Sequence, residues 1–385
     1  VSGSSISFGT AVAWESGVDD IRMTYDSTSQ KVVIAYVDGD QPLPCKAVVG
    51  TVSGTSISFG STVTFDSTYS IIYGIAYDSN AQRVVIGYRR QASTDATYGS
   101  VIVGTVSGTS ISFGSRVVVN AASTSFIQPV YEPNAQKVVV VYKDNGDSGK
   151  GYAKVGTVSG TSISFGSAGL FEPGVANDFA DGVVYDPDSQ KIVIGYKDED
   201  NSNYGTAVVG TVSGTSISFG TPVVFEEANT EYVSATYNTA VNKVVLMYED
   251  KGNSSYLTAV VGTVSGTSIS FDTPVVIKSS TATYIDSVYD SNANKHVVAF
   301  ADGGNSSYGT AVTFSPSTIA TTRAEVADGG NASMDIIGSV STNQIGLTAG
   351  QQYYVQTDGT ISTTADSPSV LAGTAISATE LVVKT

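Results

Sequence analysis

Short runs of β-branched and aromatic residues, each bounded by a polar turn, fill this chain and return at a fixed interval. One stretch, Val49-Gly-Thr-Val-Ser-Gly-Thr-Ser-Ile-Ser-Phe-Gly60, reappears almost unchanged at 103–114, 155–166, 209–220 and 261–272. A shortened copy occupies residues 1–9. The central glycines, Gly3, Gly54, Gly108, Gly160, Gly214 and Gly266, are spaced by 51, 54, 52, 54 and 52 residues. A second stretch, Tyr25-Asp-Ser-Thr-Ser-Gln-Lys-Val-Val-Ile-Ala-Tyr36, has copies beginning at Tyr77, Tyr131, Tyr185, Tyr237 and Tyr289. Each copy reads as a strand end, a turn, then a β-branched strand ending in an aromatic residue.

After that strand comes an irregular acidic loop, a strand such as 204–212, the Ser-Gly-Thr turn, and a last strand such as 216–225. Four antiparallel strands per unit, six units of roughly fifty residues, predict an all-β fold: a six-bladed β-propeller over residues 1–314. The sixth unit stops after its third strand, 308–314, and the chain opens with the missing fourth strand, 4–14. That N-terminal strand is expected to complete the last blade and close the ring, since an open ring leaves exposed sheet edges. Phe8, Phe59, Phe113, Phe165, Phe219 and Phe271, like the six repeated tyrosines, are expected to pack between blades, because each blade has one. From about Ser315 the repeat stops. Residues 315–385 read as a small β-rich module for attachment or oligomerisation, too small to bury a large core alone.

Composition narrows the function. The 385 residues carry a formal net charge of −16, which argues against nucleic acid and against an anionic membrane surface as partners. Cys45 is the single cysteine, so no internal disulfide forms. No apolar run reaches membrane-spanning length and no leader peptide is visible. The start at Val1, inside a repeat unit, is expected of a processed product or of the ordered part of something longer.

The turns between first and second strands, and between third and fourth, are nearly identical in all blades and fall on one face. The other face carries loops that differ, such as 37–44, 89–97, 143–150 and 197–203, together with the connections between blades. Individual loops on a uniform scaffold are the usual place for recognition, and unconstrained drift is the alternative. Three residues before each unit's Tyr stand Arg22, Gly74, Gln128, Gly182, Ser234 and Asp286, a mixed polar set expected to line the central channel. Arg22 and Asp286 belong to neighbouring blades across the closure and are expected to pair. The candidate ligand-binding residues are therefore Arg22, Gln128 and Asp286 in the channel, with Arg89, Arg90 and Asp147 in the variable loops. Trp14, Tyr69 and Phe179 are unrepeated aromatics that suit sugar stacking, or equally a buried role.

Asp198 and Asp200 offer oxygen ligands at short spacing, which suits calcium, although the ordered EF-hand series is missing and a solvated polar loop has the same composition. No other cofactor is indicated. Zinc is disfavoured because His296 and Cys45 are the only residues of their kinds. Catalysis finds no constellation: His296 lies in a strand with nothing marking a nucleophile near it. The six-bladed ring is similar to that of sialidases, which bind the substrate carboxylate with an arginine triad. Here only Arg22 sits on an inner strand, and the Ser-Gly-Thr turn lacks the Asp and Trp of their Asp-box.

Two parts of the chain carry a resemblance. The unit Val-Gly-Thr-Val-Ser-Gly-Thr-Ser-Ile-Ser-Phe-Gly with Tyr-Asp-Ser-x-x-Gln-Lys-Val-Val-Ile resembles propeller repeats in virion proteins of marine tailed phages. The segment Gly346-Leu-Thr-Ala-Gly-Gln-Gln-Tyr-Tyr-Val-Gln-Thr-Asp-Gly-Thr360, with Ser367-Pro-Ser-Val-Leu-Ala-Gly-Thr-Ala-Ile-Ser377, is similar to a C-terminal module of phage fibre proteins. The resemblance implies a non-enzymatic virion surface or tail-fibre protein, extracellular or on the virion. It would bind a host-surface glycan or protein, contact other virion proteins and form a homo-oligomer. A bacterial adhesin or filament subunit is the first alternative, and a sialidase-like glycan-cleaving enzyme the second.

Overall fold

A computed structural model of the chain describes residues 6, 8–39, 43–91, 97–179, 181–315, 340–341, 347–349, 351–355, 361–364, 370–375 and 381–383. Two compact units appear, Val1–Thr313 and Phe314–Thr385. The first is a six-bladed β-propeller. Blade one comprises Val18–Asp26, Lys31–Asp38, Cys45–Ser53 and Ser56–Phe59, antiparallel in chain order from the inside outward. The outer strand is broken: Ser56–Phe59 pairs with the end of the third strand, and Val63–Asp66 returns to pair with its beginning.

A loop was expected between the outer strand of one blade and the inner strand of the next. Three of these crossings are instead single continuous strands, Val117–Glu132, Val223–Asn238 and Val275–Asp290. None has Gly or Pro along the crossing itself. The crossing into blade four contains Pro173 and Gly174, and there the strand breaks into Gly169–Glu172, Ala176–Asn177 and Val183–Asp186. Proline removes a ladder donor and glycine weakens an extended chain, which accounts for the difference.

The uniform face follows from local chemistry. Asp26 Oδ1 accepts the backbone N–H groups of Thr28 and Ser29, both at 2.9 Å. Asp78, Asp186 and Asp290 do the same, with Glu132 and Asn238 in the other two blades. Each hairpin then passes through a left-handed residue: Gln30, Gln82, Gln136, Gln190, Asn242 or Asn294. These side-chain-capped turns satisfy backbone donors that the ladder leaves unpaired.

Between blades the packing also repeats. A Cβ on Gly60 would collide with the carbonyl of Thr109 in the next blade, and Gly9, Gly114, Gly166 and Gly220 meet Thr55, Thr161, Thr215 and Thr267 in the same way. Deeper in, Phe65 packs on Tyr88 and Phe113, Phe171 on Tyr196 and Phe219, and Phe225 on Tyr248 and Phe271. The buried tyrosine hydroxyls find carboxylates on the crossing segment: Tyr196 donates to Glu172 at 2.7 Å and Tyr248 to Glu226 at 2.9 Å. The cores are otherwise β-branched, with Val33, Val49, Val84, Ile86, Val139 and Ile194 inaccessible to solvent.

The seam between blades six and one differs from the other interfaces. Phe8 is 80% exposed, Met23 63% and Val288 60%, whereas Ile75, at the position equivalent to Met23, is buried. The expected closing strand falls partly on residues 1–5 and 7, outside those described. From Phe8 onward no ladder joins the described residues to Tyr308–Phe314. The position of Gly60 is taken by Asp272 in blade five, and blade six has no continuous Ser-Gly-Thr turn to press against it.

In the second unit the described strands form one antiparallel sheet in the order Val340–Ser341, Leu381–Val383, Val370–Ala375, Gln352–Val355, Ile361–Ser362. Tyr353 is buried there and its hydroxyl accepts the N–H of Thr348 at 2.9 Å.

Candidate functional site at the channel mouth

Where the inner strand begins in five of the blades, on the face with the variable loops, its register with the second strand slips. The irregularities lie between Asp19 and Arg22, Ile72 and Gly74, Ser125 and Gln128, Glu231 and Ser234, and Thr283 and Asp286. A β-bulge re-aims the side chains beside it, and bulges cluster near functional sites. In four blades the residue two before the channel position is left-handed: Asp20, Phe126, Tyr232 and Tyr284, with φ of 48°, 53°, 53° and 55°. Bulky residues rarely adopt this conformation, and it persists where surrounding structure enforces it.

The bulges bring aromatic rings together. Tyr73 lies 5.9 Å from Phe126, Phe126 lies 5.3 Å from Phe179, and Tyr232 lies 5.3 Å from Tyr284, between ring centroids. Phe179 is fully buried, Tyr73, Phe126 and Tyr232 are half-buried, and Tyr284 is exposed. The arc thus comprises one group in blades two to four and a second in blades five and six.

Beside this arc runs a ring of second-strand residues, each immediately after the repeated aromatic: Val37, Arg89, Lys143, Lys197, Glu249 and Ala301. Lys197 Nζ lies 3.1 Å from Asp178 and 3.6 Å from Glu231, and Lys251 Nζ lies 2.9 Å from Glu231. Lys143 donates to Asn177 at 2.9 Å, and burial lowers its pKa. Burial raises the carboxyls of Asp178 and Glu249. Arg89 stands over Tyr73, its guanidinium carbon 6.0 Å from the ring centroid.

In the channel Arg22 donates its Nε to the Tyr73 carbonyl at 2.8 Å and approaches Asp181 at 3.9 Å. The expected Arg22–Asp286 pair does not form. Asp286 instead accepts the N–H of Ser287 at 2.7 Å, and Arg22 reaches across to blade four. Loss of hydration in the narrow channel raises both carboxyls, and that of Asp181 is pushed up to about 6. Gln128 fills the space left open by Gly74 in the neighbouring blade.

The other sequence candidates lie away from this cluster. Trp14 packs on Tyr36 and Phe59, taking the interblade place that Phe65, Phe171 and Phe225 hold elsewhere. Phe179 is likewise closed to solvent by Phe126 and Phe171. Tyr69 is exposed, in the crossing between blades one and two. Arg90 is occupied, with Asp66 at 3.3 Å and Thr68 at 2.9 Å. Asp147 accepts from Tyr152 at 2.6 Å and Lys150 at 2.9 Å, which holds its carboxyl low. Asp198 and Asp200 do not form a calcium cradle. Asp198 caps its own loop by accepting the Asn201 N–H at 3.1 Å, and no group of three or more metal-ligating side chains occurs among the described residues. His296 is buried between Thr236 and Asn238 at 2.8 and 3.1 Å, and burial lowers its pKa to about 4. The mouth residues Tyr73, Phe126, Tyr232, Tyr284 and Lys143 escape a reading of inner-strand channel positions and loop sequences alone. For Lys143 the signal is the residue after each repeated aromatic, which varies inside an otherwise uniform strand; for the four rings it is an aromatic four or five residues before the unit's inner-strand Tyr.

This architecture belongs to the β-propeller class. The structure is similar to that of BP39L lectin from Burkholderia pseudomallei, with a TM-score of 0.53, 11% identity, and coverage of 90% of this chain and 94% of that one. It is also similar to the periplasmic gluconolactonase PpgL of Pseudomonas aeruginosa, with a TM-score of 0.50, 11% identity, and coverage of 77% and 86%. At this identity the likeness concerns the fold. The sequence matches no protein-family model and no curated protein.

Proposed function

We propose that the chain is a non-enzymatic binding protein that takes a surface glycan at the mouth of its channel. The observation that carries the reading is the arc of bulge aromatics beside a blade-specific ring of charged and amide side chains. Aromatic faces take the apolar faces of sugar rings, and neighbouring polar groups take the hydroxyls. A lectin among proteins of this fold is in keeping with that chemistry. Asp178 and Glu231 face Lys197 within 3.6 Å, which is in keeping with a binding role. Binding of a panel of neutral and acidic oligosaccharides, measured by calorimetry, tests the reading. Tyr232→Ala with Tyr284→Ala is expected to weaken binding by about tenfold or more, the cost of one or two stacked rings. Unchanged affinity in a folded double variant would remove the mouth as the site.

The finer reading places this binding on a virion. The repeat and tail resemblance supports a tail-fibre or surface protein that meets a host-surface glycan or protein, works as a homo-oligomer, and attaches to other virion proteins through its second unit. Stoichiometric recovery with gradient-purified particles is expected. Retention in the cell envelope would replace the virion reading with an adhesin.

A further inference from the structure

Arg89 is the mouth cation with the least internal compensation. Its Nε is buried without a hydrogen-bond acceptor, and no carboxylate lies within 4 Å of its guanidinium among the described residues. The cations at the equivalent station in the next two blades are engaged, Lys143 with Asn177 and Lys197 with Asp178 and Glu231. A buried guanidinium donor left unmade costs free energy that a ligand acceptor would recover. A second guanidinium is nearby, since Arg22 bonds the carbonyl of Tyr73, the residue whose ring Arg89 covers. Both arginines act electrostatically on the Tyr73 hydroxyl. Asp20 is the carboxylate that faces both of them, and burial raises its pKa, against the field of the two arginines. The surroundings therefore hold two cations, the carboxyl of Asp20, that of Asp181 beside Arg22, and an aromatic floor made by Tyr73 and Phe126.

We infer that this corner of the mouth is an oxyanion subsite, in which Arg89 and Arg22 take the acid group of a carboxylated or sulfated sugar stacked on Tyr73. The inference rests on the glycan-binding reading and adds a substrate class to it. A guanidinium presents paired N–H donors that match the two oxygens of a carboxylate or sulfate. The chain is acidic as a whole, with a net charge of −16, so an anionic glycan needs a local cationic pair to be held against the general repulsion.

Calorimetric titration of the full chain with an oligogalacturonate, a sulfated galactan oligosaccharide and a neutral cello-oligosaccharide tests it. At least one acidic probe is expected to bind about tenfold more tightly than the neutral one, with an affinity that falls as salt is raised from 50 to 300 mM. Arg89→Gln is expected to weaken the acidic probe by about tenfold more than the neutral one and to flatten the salt dependence, and Arg89→Lys to retain part of the preference. The wild-type salt dependence stands even if a variant fails to fold. Equal, salt-independent binding of acidic and neutral probes would overturn the oxyanion subsite and leave the glycan reading intact. Binding of no probe at millimolar concentration would overturn both. The preference between carboxylate and sulfate identifies which oxyanion the subsite takes.

Discussion

Asp181 and His296 titrate in opposite senses across the same acid window. The channel raises the Asp181 carboxyl from its ordinary value to about 6, so the folded state holds an extra proton between roughly pH 4 and 6 and loses stability as pH rises through that range. Burial lowers His296 to about 4, so the folded state lacks a proton between roughly pH 4 and 6.5 and gains stability over the same rise. Asp181→Asn is therefore expected to become more stable relative to wild type as pH goes from 4 to 6, and His296→Gln less stable. Each difference is on the order of 1 kcal/mol, read by urea unfolding at a series of pH values. Parallel profiles for wild type and both variants would show that neither group is perturbed. Neither environment is written next to its residue. His296 is buried against Thr236 and Asn238, about sixty positions away in sequence, and Asp181 faces Arg22 from the opposite side of the channel.

At the scale of strands and turns, sequence and structure agree where the chemistry is local. The Asp-capped hairpins, the left-handed Gln or Asn that follows, and the glycine of each Ser-Gly-Thr turn act within a few residues, so the repeat displays them directly. The crossings agree less well. Pro173 and Gly174 break the crossing into blade four, but the crossing into blade two also breaks, between Asp66 and Ser70, with neither residue present, so glycine and proline mark only one of the two breaks. The bulges were hidden for another reason. A register slip at Phe126, Tyr232 or Tyr284 is set by the neighbouring second strand and by the adjacent blade, and no residue type marks it.

Among the described residues, hydrophobic cores join blades one to two, two to three, three to four and four to five, whereas the seam between blades six and one is filled by Trp14 at its outer end and exposed at Met23 and Val288 further in. Val297, Ala299 and Ala301 in blade six stand where Val33, Ala35 and Val37 of blade one are buried against blade two, yet none of the three is buried. Stability should therefore be unevenly distributed around the ring. Ile75→Ala is expected to cost about 2–4 kcal/mol, the usual penalty for emptying a core position. Met23→Ala, at the same position in blade one, is expected to cost less than about 0.5 kcal/mol, because its side chain is largely in water. Equal costs in chemical denaturation would mean that the seam is shut in solution and that blade one covers blade six.

The sequence by itself determined the all-β propeller architecture, the strand order within a blade, the chemistry of the uniform face and the individuality of the other face. Each of these is a local pattern repeated at a period near fifty residues, and period alone reports it. Only the tertiary structure decided which side chains meet at the channel mouth. It gave Trp14 to an interblade core, moved the carboxylate facing Arg22 from Asp286 to Asp181, and left Arg89 over Tyr73 with a donor to spare. Those outcomes depend on distances between blades, which a one-dimensional repeat does not encode. Around a ring, residues far apart in the chain become neighbours across the channel.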